Sequence, residues 1–536
     1  VDAITGERPG LLTRERIVAG PGYNRWLVPP AALAIHLSIG MIYGMSVFWL
    51  PLSQAVGVTH AVACPAGSSL LTRLTATGCD WKVSDVSWVF TLGIVFLGAS
   101  AALWGGWLER VGPRRAGLAA AFCWPGGLAV AALGVYLHQL WLVWLGGGVL
   151  GGVGLGLGYI SPVSTLIKWF PDRRGLATGL AIMGFGGGAM IGSPLAARLL
   201  GHFHSATDVG VWQTFLVLAV IYFVFMAAGA FGYRVPQAGY WPNGVPLQAT
   251  HAEIAGSVPL EAAWRTPQFW LLWGVLCLNV SAGIGVLDMA SPMLQEIFAG
   301  SLIGHPEIGF TALSPGQLKA VGAIAAGFAG FLSLFNIVGR LFWASLSDRL
   351  RRRNTYAIFF LLGMALYAAV PSLADTGNKA AFALTFGVIL SMYGGGFATA
   401  PAYLADLFGT GFVGAIHGRL LTAWSVAGVV GPVLVTQLRE WQIASGIARR
   451  NVYDHTMYIL AGLLVFGLVC NLLIRPVRPG LFTTTTAISS RPASSVTASG
   501  PARRGGFALP LAWLAVGVPL AWGFYMTILK ASVLFG

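Results

Sequence analysis

The chain has 536 residues, of which 56% are hydrophobic and 9% charged, with a formal net charge of +14. A soluble domain carries roughly 25% charged residues, so this composition excludes an ordinary water-soluble fold. The apolar residues fall into repeated runs of about twenty or more, each long enough to cross a bilayer, and the fold class is an all-α polytopic membrane protein in contact with lipid. In a soluble chain the positive excess would raise nucleic acid as a partner. Here the cations gather at the ends of apolar runs, where they set topology, and no nucleic acid is expected. The 73 glycines suit close helix packing in lipid. The five cysteines show no CxxC or Cys/His spacing, so neither a metal nor a cofactor is expected. A polar start and a first apolar run too long for a signal-peptide core do not read as a cleavable signal.

Residues 1–25, with Arg8, Arg14, Arg16 and Arg25, read as a cytoplasmic tail. Span 1, about 27–54, carries His36 and Tyr43. Tyr43 is either a cavity wall or a packing residue, and His36 reads as a satisfied helix histidine before a proton carrier. Residues 57–84 form an insertion holding Cys64 and Cys79; outside the cytoplasm an oxidising compartment permits a disulfide there, the alternative being two free thiols. Span 2, about 86–108, ends in GGWLERVGPRR, with Gly105, Glu109, Arg110, Gly112, Arg114 and Arg115. The leading glycine is expected to allow a close helix crossing and a tight turn, and the acid and arginines a charge network at the membrane face.

Spans 3 and 4 fall at about 117–137 and 141–166. GVGLGLG in span 4 resembles a nucleotide loop only by letter, since no strand precedes it. Tyr159 and the basic connection KWFPDRR, 168–174, lead into span 5, about 175–200, and span 6, about 212–233. Spans 7 and 8 lie at about 268–298 and 317–346. Asp288 in span 7 is expected in the outer half, solvated at the interface, with a partnership to Arg340 or a proton role as alternatives. Spans 9 to 12 fall near 355–373, 380–404, 415–437 and 453–474; Tyr393 lies in span 10 and Trp424 in span 11. Residues 475–506 are rich in Pro, Ser, Thr and Arg and have the composition of a disordered segment. A thirteenth span follows from about 507, after Arg503 and Arg504. Placing the N-terminus inside collects the basic connections in the cytoplasm.

The end of span 8 reads NIVGRLFWASLSDRLRRR. Arg340 stands inside the apolar run, about 12 Å from Asp348 at ~1.5 Å of rise per residue. Asp348, Arg349, Arg352 and Arg353 mark the water-exposed helix end. An arginine at mid-bilayer costs at least ~2.5–3.5 kcal/mol, so it faces a polar cavity and a partner. Asn336, one turn away on the same face, is neutral and cannot balance the charge. The missing anion is either the substrate or a carboxylate on another helix; snorkelling to the interface is the third reading.

The Asp348 motif follows the Glu109 motif at an offset of 239, and 158–194 can be laid on 396–432 without a gap at an offset of 238. The chain therefore divides into a 1–25 tail, a 26–233 six-helix half, a 234–267 cytoplasmic linker, a 268–474 six-helix half, a 475–506 flexible segment and a 507–536 extra span, the repeat architecture of secondary transporters. An intramembrane enzyme is disfavoured, because no nucleophile or His/acid cluster lies at one depth. A sensor on a transporter scaffold is the rival from another class.

The paired Gly-x-x-x-(Asp/Glu)-Arg motifs and the two halves resemble the major facilitator superfamily over 25–475. GYISPVSTLIKWFPDRRGLATG and DLFGTGFVGAIHGRLLTAW are similar to the oxalate/formate antiporter family. That resemblance implies alternating-access carriage of small carboxylate anions across a bacterial inner membrane. It implies that Arg340 binds the substrate carboxylate, and that Tyr43, Tyr159 and Tyr393 line the cavity. It also places Trp424 where the family's antiporters use a lysine, which removes one cationic anchor for dianionic oxalate. The more distant monocarboxylate transporters pair an acid with the span-8 arginine at four-residue spacing; Asn336 stands there, so a proton as coupling ion has no evident carrier at that position. The last span resembles a single-span small subunit of such transporters.

Overall fold

The structure is a computed structural model describing residues 10–20, 22–58, 61–65, 67–170, 174–237, 240, 256–409, 412–482 and 507–536. Arg8, most of the linker, 171–173 of the basic connection, 483–506 with Arg503 and Arg504, and the Glu109 side chain lie outside the described residues.

Apolar runs bounded by turn residues become long helices because a backbone in lipid must satisfy its own hydrogen bonds. In chain order these are α1 (Arg25–Leu52), α2 (Val83–Val111), α3 (Pro113–Tyr136), α4 (Leu140–Leu166), α5 (Arg174–Phe203) and α6 (Val211–Gly232). The second set is α7 (Pro267–Phe298), α8 (Pro315–Leu350), α9 (Arg352–Asp375), α10 (Lys379–Phe408), α11 (Thr422–Ala444) and α12 (Asp454–Leu473). The last is α13 (Ala508–Ala531). Among the described residues, twelve helices are long and apolar enough to cross a membrane; α5, with 30 residues, packs between α1 and α8. The architecture is two sets of six long helices with α13 beyond them.

The halves meet where α5 lies along α8, α2 along α11, and α1 against α7. Glycine sets several approaches inside each half: a Cβ on Gly127 of α3 would lie 2.5 Å from the Gly146 carbonyl oxygen of α4. Gly105 does not act in this way. An added Cβ there meets nothing within 4 Å, so the expected crossing at Gly105 is corrected. The turn between α2 and α3 is made by Gly112, with φ 87°. The counterpart at an offset of 239 is Arg351, with φ 69°, a conformation costing a non-glycine residue about 1–3 kcal/mol. Pro194 inside α5 and Pro432 inside α11 repeat at the 238 offset.

One end of the bundle carries the α2–α3 and α8–α9 connections and is called the motif end. The other carries the α1–α2 insertion and is called the disulfide end. There the Asp80 carboxylate accepts the amides of Val56, Gly57 and Val62 at 2.6, 3.0 and 2.8 Å, and Arg73 pairs with Asp85 at 2.7 Å. Cys64 and Cys79 are disulfide-bonded, with Cα atoms 4.9 Å apart. Closing a loop of this length contributes about 3 kcal/mol in the chain-entropy picture. Unreduced peptides should carry the link by mass spectrometry, and a reductant should lower the melting temperature. Full alkylation of both thiols in oxidised protein would refute the link.

Candidate functional site

Arg340 is 4% exposed, ten residues before the Leu350 end of α8 and facing α5. Its Nε donates to Asn336 Oδ1 at 2.8 Å, and its guanidinium carbon lies 5.6 Å from the Phe397 ring centroid, within cation–π range. No Asp or Glu forms an ion pair with it among the described residues. Asn336 Nδ2 and Trp424 Nε1, both buried, make no hydrogen bond among the described residues. A Cβ on Gly186 of α5 would lie 3.1 Å from both Arg340 Nε and Asn336 Oδ1. That glycine lets the charge of one half rest against the backbone of the other.

Rings from both halves close around this charge. Tyr43 and Tyr393 share a hydrogen bond of 2.8 Å between hydroxyls across the halves. Phe185 packs edge-on against Tyr43 at 5.0 Å and against Tyr159 and Trp424 at 5.5 Å each. Trp424 lies 4.7 Å from Phe397 and 5.5 Å from Tyr159, and Phe397 lies 5.4 Å from Tyr393. His36 stacks on Tyr159, with Nε2 3.1 Å from the Tyr159 carbonyl oxygen. The structure thus brings Arg340, Asn336, Tyr43, Tyr159, Tyr393 and Trp424 together, all buried. Phe185 and Phe397 are members that residue-level reading missed. Phe397 stands 238 after Tyr159, so the repeat carried a signal for it.

With the rings in contact, Arg340 is enclosed between the halves. On the disulfide-end side of Arg340, Ser333 donates to the Gly186 carbonyl and Lys319 Nζ to the Gly201 carbonyl at 2.8 Å. Trp49 Nε1 of α1 donates to the Asp288 carbonyl and Oδ1 at 2.6 and 3.1 Å. Asp288 is fully buried, which corrects the expectation of interfacial solvation: it stands on the face where α7 meets α1, and its bond is to Trp49 rather than Arg340.

Among the described residues, the motif residues bond within their own half or to the N-terminal tail. Arg114 donates to the carbonyls of Leu11, Phe231 and Tyr233 at 2.8, 3.0 and 3.3 Å, and Arg115 to that of Leu12 at 2.7 Å. Arg352 binds Asp348 and Ser347 and lies 3.7 Å from Asp406. Arg353 caps the Leu472 carbonyl. Arg110 and Arg349 are exposed.

A second charged centre was not read from the sequence. Glu296, near the end of α7, accepts Arg439 Nε at 2.8 Å, Arg449 Nη1 at 2.9 Å and the Tyr453 hydroxyl at 2.6 Å, and a second bond from Arg439. Its side chain is 0% exposed and that of Arg439 2%. The cluster ties α7 to α11 and α12 at the disulfide end.

The family model described as Major Facilitator Superfamily matches residues 32–432. Apicoplast pyruvate carrier 1 of Toxoplasma gondii is 27% identical over 75% of this chain and 81% of its own length. The oxalate:formate antiporter of Oxalobacter formigenes is 25% identical over 80% and 85%. Monocarboxylate transporter 12 of Rattus norvegicus is 25% identical over 56% and 61%. Among solved structures, a bacterial homologue of the lysosomal transporter Spinster, inward-facing and unoccupied, superimposes with TM-score 0.56 at 15% identity, covering 95% of this chain and 97% of that one. The D-xylose-proton symporter gives TM-score 0.56 at 14% identity over 84% and 96%. With the family matched over most of its helices and the fold shared across both halves, this chain belongs to the Major Facilitator Superfamily of transporters.

Proposed function

We propose that the protein carries small carboxylate anions across a bacterial inner membrane by alternating access, with Arg340 holding the carboxylate. The observation that carries this reading is Arg340 itself: buried within α8 against the opposite half, with no acidic partner among the described residues. A guanidinium there supplies charge-assisted, forked hydrogen bonds to a carboxylate, with Asn336 Nδ2 and the Tyr43 and Tyr393 hydroxyls as further polar groups. The ring walls favour small solutes. The printed names of the relatives, a pyruvate carrier, an oxalate:formate antiporter and a monocarboxylate transporter, point to the same substrate class. The arginines at Glu109–Arg115 and Asp348–Arg353 are proposed to latch the motif end in one state and release it in the other.

Trp424 belongs to the same reading. One fixed cation in a low-dielectric cage balances a monoanion, whereas a dianion leaves one charge desolvated and unpaired, which is costly. The wild type is therefore expected to prefer monocarboxylates, and Trp424→Lys to move preference toward oxalate. Competition between formate or lactate and oxalate in proteoliposomes tests both. Tight oxalate binding by the wild type at neutral pH would sink the proposal for Trp424.

Proton-coupled symport is a second reading, favoured by Asp288, a buried carboxylate bonded across the halves to Trp49. Proton movement accompanying uptake into vesicles separates it from exchange.

A further inference from the structure

α13 crosses the junction of the two halves on its lipid side. Near its start, Trp513 and Val516 pack on Leu33, Ala34 and Leu37 of α1 and Phe225 of α6, all in the first half. Further along it reaches α5 and α8 together. Thr527 is the point of crossing. It is fully buried, its Oγ1 donates to the Met190 carbonyl of α5 at 3.1 Å, and it lies so close to Gly330 of α8 that a Cβ there would come within 2.4 Å of that same oxygen. Gly523 admits Ile191 of α5, where a Cβ would be 2.9 Å from its Cα, and Gly327 of α8 admits Lys530. Arg198 of α5 lies over the Trp522 ring at 5.3 Å and donates to Met526 Sδ at 3.2 Å.

We propose that α13 is a built-in strap which holds α5 against α8 and biases the transporter toward the state with the disulfide end shut. The α5–α8 seam is closed here by Ser333 on Gly186 and Lys319 on Gly201, and Thr527 touches both of its walls at the level between those two bonds. If α5 and α8 part at the disulfide end, α13 keeps one wall and loses the other. Following α8 strips the Thr527 hydroxyl of its carbonyl and the Arg198 guanidinium of its ring, and the first loss occurs at a fully buried position, where water does not replace it. Following α5 opens the glycine notches at Gly327 and Gly330. Either way the open state loses contacts that the shut state has, so the strap shifts the equilibrium by its differential contact energy. The proposal rests on movement of the two halves and not on which anion is carried.

The test is spectroscopic and needs no substrate. Spin labels at Ser205 and Gly316, exposed on opposite sides of the seam, report the disulfide-end distance in lipid nanodiscs, in a full-length chain with the free thiols Cys123, Cys277 and Cys470 replaced. Gly330→Leu and Gly523→Leu, each of which pushes α13 off one wall, are expected to raise the ratio of open to shut populations at least about fivefold, the lower end of ordinary coupling. A chain ending at Phe482 should do the same. If that shortened chain does not fold, the two point variants decide. An unchanged distance distribution in both folded point variants, or a shift toward the shut state, overturns the strap. Loss of transport with an unchanged distribution also overturns it, because it assigns α13 a structural role only.

Discussion

Arg340→Gln is expected to abolish anion uptake while leaving the protein inserted and folded. The substitution keeps approximate length and removes the charge and the forked donors. Losing one partner of a buried, hydrogen-bonded charge pair costs about 2–5 kcal/mol, or roughly 30-fold to several-thousand-fold in affinity. Folding should survive because the bond from Arg340 Nε to Asn336 stays within its own helix and Arg340 forms no ion pair among the described residues. Arg340→Lys should also transport poorly, since a point charge does not reproduce bidentate geometry. Uptake by reconstituted protein and ligand-induced thermal stabilisation are the measurements. Wild-type uptake by Arg340→Gln would remove Arg340 from the substrate site.

Glu296→Gln should produce the largest loss of stability. The substitution leaves Arg439 buried with Glu440 as its remaining carboxylate at 2.8 Å and sets Arg439 and Arg449 beside each other without the shared anion. Breaking a buried ion cluster by removing one member typically costs about 3–5 kcal/mol. The double variant Glu296→Leu with Arg439→Met should be far less damaging, because the charges it leaves unpaired, Arg449 and Glu440, are both partly exposed. Thermal denaturation of the purified variants distinguishes the cases. If Glu296→Gln melts with the wild type, the cluster contributes nothing to stability.

Both centres show how differently charge in an apolar chain can be used. Glu296 collects three partners and ties helices within one half. Arg340 has a neutral amide beside it and a ring beneath it, and it points at the opposite half across Gly186. The first arrangement is complete as it stands; the second leaves the guanidinium without a carboxylate among the described residues.

The sequence by itself determined the membrane class, the helices and the repeat. Apolar runs of bilayer length have no alternative to helix in lipid, and the motif and proline offsets of 239 and 238 survive in the structure as Gly112 against Arg351 and Pro194 against Pro432. It also singled out Arg340, because one cation in an apolar run is conspicuous without any contact being known. Only the tertiary structure decided what lies opposite that cation. Gly186, Phe185 and Phe397 are unremarkable among 73 glycines and 30 phenylalanines until packing sets them against Arg340 and Trp424. The Glu296–Arg439 pair spans 143 residues, and periodicity along one helix says nothing about a partner on another. Asp288 was misplaced for the same reason: depth along α7 was legible, but the face turned toward Trp49 was not. The site of α13 was equally hidden, since its apolar pattern records that it meets lipid and not which two helices it joins; that is set by the fit of Thr527, Gly327 and Gly330 across the seam.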